Sequence, residues 1–143
     1  MANESVLHRD IEQFDSIRTF FKALEARPHI HLVKVADQGL VEPARRGTAL
    51  VMQPMVRVVA TAFDYKTNKI LRWDDKWDVG SGVVSRDVTK GDGRQNDPTG
   101  ARTRDLIILE CQKHGLQVVR GEEWTPGDIV VDTLAGIDRE RGS

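Results

Sequence analysis

Residues 55–79 constrain the fold more than any other stretch, because two alternating segments face each other there across a short polar turn. Successive side chains of a strand point to opposite faces, so a period of two repeated on either side of a turn reads as an antiparallel hairpin. In the first segment Val56, Val58, Ala60 and Ala62 point one way, and Val59, Thr61 and Phe63 the other. Both sets are mostly apolar, the mark of a strand covered on both faces. In the second segment, over 70–79, Leu71, Trp73, Trp77 and Val79 share a face broken by Asp75. Arg72, Asp74, Lys76 and Asp78 make the opposite face charged and wet. Residues 65–69 form the turn, with Asn68 suited to a left-handed conformation.

The flanking segments predict an α+β domain of order α-β-β-β-α-β, a mostly antiparallel central sheet packed by two helices. Ile11, Phe14, Ile17, Phe21 and Leu24 recur at three- and four-residue steps, which predicts a helix over 10–26 capped by Asp10 and stopped by Pro28. A strand follows over 29–36. Residues 37–48, with two Gly, one Pro and the pair Arg45-Arg46, read as an irregular connection. The next strand runs over 49–63, and Pro54 predicts a bulge or a late start near Met55. Residues 80–97 form a long Gly- and Asp-rich loop, well beyond the usual connection of about six residues. The second helix, over 98–114, has Asp97 as its cap, Pro98 in first position, Gly115 as terminator and Leu106, Ile107, Leu109 and Cys111 as its buried face. A strand over 116–120, a type II turn at 125–128 and a strand over 129–134 complete the chain. The charged ends, 1–9 and 136–143, are expected to be loose.

At 143 residues the chain is expected to be one domain. Lys and Arg number 21 against 22 Asp and Glu, a formal net charge of -1. That balance argues against a protein that coats duplexes and sets up little repulsion between copies. The one cysteine, Cys111, permits no internal disulfide and no cysteine-based zinc site. The N-terminus lacks the apolar core of a signal peptide, and no apolar run approaches the roughly 18 residues of a membrane span. A soluble, cytoplasmic or intracellular protein, not secreted and not in a membrane, is the expectation.

Two constellations bear on function. Arg102 and Arg104 oppose the dipole at the start of the second helix, and Arg86 and Arg94 lie in the preceding loop. Together they are candidate ligands for a phosphate, nucleotide or RNA segment, although no Gly-Lys-Ser/Thr loop motif accompanies them. The second is Asp74-Asp75-Lys76. With the order helix, three strands, helix, strand, it is similar to the core of the restriction-endonuclease-like nucleases, whose signature is an acid on the second strand and an acid-x-Lys triplet on the third. Glu12 would supply the acid of the first helix. That resemblance implies Mg²⁺ held by carboxylates and a lysine that positions the attacking water. Folding the hairpin about Thr67 and Asn68, however, sets Asp74 opposite Thr61 or its neighbours, where no acid stands, and leaves Asp64 too close to the turn.

The size, element order and extended loops also resemble those of the tail-terminator and head–tail connector proteins of tailed phages, in architecture alone. This resemblance implies a structural, non-enzymatic assembly subunit, placed in a virion if phage-derived. It would act through homo-oligomerisation and contacts with other protein subunits. The face of Arg72, Asp74, Lys76 and Asp78 is then the expected interaction surface. No catalytic set, metal site or cofactor is expected.

Overall fold

Among the described residues all the strands lie in one sheet, in the order β1-β4-β3-β2-β5. The computed structural model describes residues 10–79, 85–89 and 97–128. Its elements are β1 (Ile11–Gln13), α1 (Ile17–Glu25), β2 (Leu32–Arg46), β3 (Ala49–Asp64), β4 (Lys69–Asp78), α2 (Arg86–Thr89), α3 (Ala101–Lys113) and β5 (Gln117–Arg120). β2, β3 and β4 form an antiparallel meander; β1 joins β4 and β5 joins β2, both in parallel. The α+β class agrees with the sequence pattern, and the central β2–β3–β4 meander is antiparallel as expected, whereas β1 and β5 add parallel margins to a sheet expected to be mostly antiparallel. The expected strand over 129–134, both termini and most of the 80–97 loop lie outside the described residues.

The hairpin of residues 55–78 forms as its alternation predicts, paired from Met55↔Asp78 to Asp64↔Lys69. Asn68 takes the left-handed conformation, with φ 57°. Val33, Val35, Val58, Ala60, Ala62, Leu71 and Trp73 make one buried face. Ile17, Phe20 and Leu24 of α1 and Ile107, Ile108 and Cys111 of α3 pack against it. On the other face Val59, Thr61 and Ile70 are buried as well. There the Trp124 backbone N–H donates to Thr61 Oγ1 (2.8 Å), and its ring meets Phe63 with centroids 5.6 Å apart.

Residues 10–13 are not helical. They extend along the open edge of β4, where the Ile70 N–H donates to the Asp10 carbonyl (2.6 Å) and the Phe14 N–H to the Arg72 carbonyl (2.8 Å). Backbone pairing on a free edge outweighs the helical spacing of Ile11 and Phe14. The cap of α1 is therefore Ser16, whose Oγ accepts the Thr19 N–H at 3.1 Å.

Residues 37–48 are not irregular either. β2 continues to Arg46 and pairs with β3 in unbroken register from Val33↔Ala62 to Arg46↔Ala49, and Gly47 turns the tip with φ 64°. Pro54 makes no bulge. β4 ends its pairing at Met55 and β5 ends its own at Val35, so Pro43 and Pro54 each have an open side on which a missing N–H costs no ladder bond.

α3 begins three residues later than expected, behind Gly100 with φ 79°. Asp97 still provides the capping oxygen. Its buried carboxylate accepts the backbone N–H groups of Arg102 (3.2 Å) and Thr103 (2.9 Å) and the Thr103 hydroxyl (2.7 Å). At the other end Gly115, φ 75°, closes the helix: the Leu116 N–H reaches the Cys111 carbonyl and the Gly115 N–H the Gln112 carbonyl, both at 3.0 Å. The covered residues of α3 are Thr103, Ile107, Ile108 and Cys111, whereas Leu106 and Leu109 are exposed, contrary to the predicted face. The expected type II turn is instead one helical turn over 126–128, tied by Thr125 donating from N (2.9 Å) and Oγ1 (3.0 Å) to Asp128 Oδ2.

Candidate interaction surface

Among the described residues the sheet narrows to two strands from Val41↔Pro54 to Arg46↔Ala49, because neither β4 nor β5 extends that far. At about 3.4 Å per residue this arm is about 20 Å long. The pairs Val41/Pro54, Pro43/Met52 and Arg45/Leu50 continue the face on which α1 and α3 lie, but among the described residues no helix follows them outward. Val41 is 62% exposed, Leu50 69% and Met52 63%.

The other face of the arm is anchored at its root. Lys76 Nζ donates to Glu42 Oε1 (2.5 Å), and Gln53 Nε2 donates to Asp78. The remaining charges of the predicted surface are likewise engaged within the chain. Arg72 Nη1 donates to Asp74 Oδ1 (2.7 Å) and to Gln13 Oε1 (2.9 Å), and Gln13 Nε2 donates to Asp74 Oδ1 (2.8 Å). Charge alternation on β4 thus ties the arm and β1 to the sheet.

The nuclease constellation does not come together. Asp74 stands opposite Val59, with Arg57 and Thr61 beside it on that face. Asp75 lies on the other face and accepts the Ser85 hydroxyl. Glu12 is 3.5 Å from Arg27. Asp64 sits at the strand end, where Arg27 Nε (3.2 Å), His29 Nε2 (2.8 Å) and the Lys66 N–H (3.0 Å) surround it. Burial pushes the Asp64 carboxyl up, but its hydrogen bonds with His29, Lys66 and Thr67 and the charge of His29 more than offset that and hold it below its ordinary value. Among the described residues no cluster of three His, Cys, Asp or Glu side chains could hold a metal ion.

The four arginines are not shown converging. Arg104 Nη1 donates to Asp37 Oδ1 (2.8 Å), a bond that raises its pKa, and Arg104 Nε reaches Asp105 Oδ1 at 3.2 Å. Arg102 is exposed, and its backbone N–H goes to Asp97. The anion that complements the N-terminus of α3 is therefore the chain's own carboxylate. Arg94 and the side chain of Arg86 lie outside the described residues.

A cleft of about 950 Å³ runs between α1 and α3. Phe21, Val88, Leu106 and Leu109 line it, with Glu25 and Glu110 among the charged residues at its rim. Beneath it Cys111 is fully buried, and burial pushes its thiol up to about 12.

Sequence reasoning missed both the arm and the exposure of the cleft. The arm had a readable signal: Leu40, Glu42 and Ala44 alternate with Val41, Pro43 and Arg45, and Gly47 follows as a turn residue. In comparisons with protein-family models, curated proteins and solved structures, nothing matches this chain.

Proposed function

We propose that this chain is a non-enzymatic assembly subunit that binds copies of itself, with the β2–β3 arm as its reaching element. The arm carries the proposal. A two-stranded ribbon is at best marginally stable alone, and this one holds Val41, Leu50 and Met52 out to solvent on one face. About two-thirds of each side chain is still to be buried, worth roughly 1–2 kcal/mol apiece, so the three supply roughly 3–6 kcal/mol towards the cost of association. Pro43 and Pro54 interrupt the donor rows of both arm strands, which disfavours growth by strand addition and leaves the apolar face as the docking element. A formal net charge of -1 sets up little repulsion between copies. Placement among phage connector or tail-terminator subunits, and hence in a virion, rests on architectural likeness alone.

Light scattering on the native particle tests the reading. The wild-type chain should have a multiple of the single-chain mass, and the variant Leu50→Asp with Met52→Asp should fall to the single-chain mass with an unchanged far-UV spectrum. A wild-type chain that stays single at high micromolar concentration would remove the proposal.

A further inference from the structure

We infer that residues 122–124 are an exchange element: in the assembly they leave the sheet of their own chain and seat on the same face of a second copy. This inference rests on the assembly reading and deepens it by naming a second contact between copies. The face is the one turned away from α1 and α3. Lys34 and Arg72 flank Thr61 there in register, and Arg57 lies four residues along β3 on the same side. Among the described residues Asp74 is the only sheet carboxylate bonded to any of these three cations. The charge that completes the face comes from beyond β5. Glu122 lies 3.3 Å from Lys34 Nζ, and Glu123 lies 3.1 Å from Arg57 Nη2 and 3.9 Å from Arg72 Nε. Lys34 Nζ also stands 3.8 Å from the centre of the Trp124 ring. The complement of this surface is thus displayed by the chain itself: two adjacent carboxylates followed by an indole.

Two observations favour a seat filled from another copy. First, the segment fits its own chain incompletely. Arg57 Nε and Trp124 Nε1 are buried with no hydrogen-bond partner, a costly state for either donor. The tether sets this fit. The Gly121 N–H is bonded to the Val35 carbonyl (2.9 Å), so the chain has three residues in which to leave the outer side of β2 and reach Thr61 on β3. A segment arriving from a second copy meets the same cations without that short tether and can shift until both donors find acceptors. Second, little holds the segment by its backbone. Among the described residues the main chain of 122–124 makes one hydrogen bond to the sheet, from the Trp124 N–H to Thr61 Oγ1 (2.8 Å). Gly121 before it has φ 78° and open space around it, which suits a pivot. Exchange of an identical element gives a second copy the same ion pairs, and is a low-cost route from one chain to several.

The test uses full chains carrying Lys34→Cys or Glu122→Cys, co-expressed and treated with a short bismaleimide. The buried Cys111 serves as an unreactive background. The mixed pair should give a two-chain product on a denaturing gel, and neither variant alone should. A bridge formed only inside single chains of the double variant, with none between the mixed pair, would overturn the exchange. Arg57→Glu and Glu123→Arg give an independent reading should a cysteine variant fail to fold. Each alone sets like charges together at the seat, whereas every exchanged contact between the two variants joins opposite charges. Co-expressed, they should be recovered in mixed particles well beyond random pairing; random pairing would overturn the exchange. Multi-chain wild-type particles whose bridges stay within single chains would leave the arm-mediated assembly standing, while a single-chain wild type would overturn both.

Discussion

Gly100 joins the helix layer to the sheet, and replacing it with alanine separates two kinds of cost. The residue has φ 79°, and a Cβ added there would lie 2.8 Å from Val58 Cγ2, 2.9 Å from Val56 Cγ1 and 3.2 Å from Asp37 Cβ. Val56 and Val58 are 2% and 0% exposed, so neither has room to withdraw. The left-handed backbone costs a non-glycine residue about 1–2 kcal/mol, and forcing a methyl into filled space adds about 1–3 kcal/mol. Lower entropy of the unfolded chain returns about 0.4–1 kcal/mol. Gly100→Ala should therefore lose roughly 2–4 kcal/mol, close to 10 °C in Tm for a chain of this size. Three other glycines calibrate the result. Gly47 and Gly115 have φ 64° and 75° with open space around them, so alanine there should show the backbone cost alone, about 1 kcal/mol. Gly39 has open space and no positive φ, and alanine there should be neutral or slightly stabilising. Urea denaturation of the four variants measures the series. If Gly100→Ala cost no more than Gly115→Ala, the close approach of α3 to β3 would be wrong.

Two further variants probe the buried carboxylates. Asp64 is held below its ordinary pKa of 3.8, so its stabilisation is complete at neutral pH and is lost as pH falls through the folded-state value. Asp64→Asn should cost about 1–3 kcal/mol at pH 7, and its stability curve should converge with the wild type below pH 3.8; a gap that persists in acid would refute the assignment. Asp97→Ala leaves the N–H groups of Arg102 and Thr103 without their acceptor and should cost about 1–3 kcal/mol, with hydrogen exchange accelerated in the first turn of α3 rather than the last.

What was legible depended on how local the controlling interaction is. The β3–β4 hairpin was readable because its alternation, its turn and Asn68 lie within one short stretch, and Gly115 was readable because a helix end is closed by its own last turn. The arm was harder to read. Its alternation and Gly47 were there, but Gly39 and Pro43 are residues that strands usually avoid, and the continuous register with β3 outweighs them. β1 was hidden for the opposite reason. Ile11 and Phe14 fit a helix stripe well, yet the vacant side of β4 claims that backbone. In α3 the apolar spacing marked Leu106 and Leu109 as core, whereas the covered side includes Thr103, whose hydroxyl donates to Asp97 and accepts the Ser85 N–H (3.1 Å). A buried threonine is chosen there for its hydrogen bonds, which hydropathy does not report. Asp97 was recognised as a capping residue but reaches the helix from further upstream than the cap position.

The strand order also dictates a sequence of events during folding. The meander of β2, β3 and β4 closes through short turns between neighbours along the chain, whereas Ile11 must find Ile70 and Leu32 must find Gln117 across long stretches. Closing long loops is slower, so the three central strands should gain amide protection early and both margins late. In that interval the naked flanks of the meander are the surfaces on which stray chains could zip together, which makes refolding yield, more than final stability, the property sensitive to damage in β1 and β5.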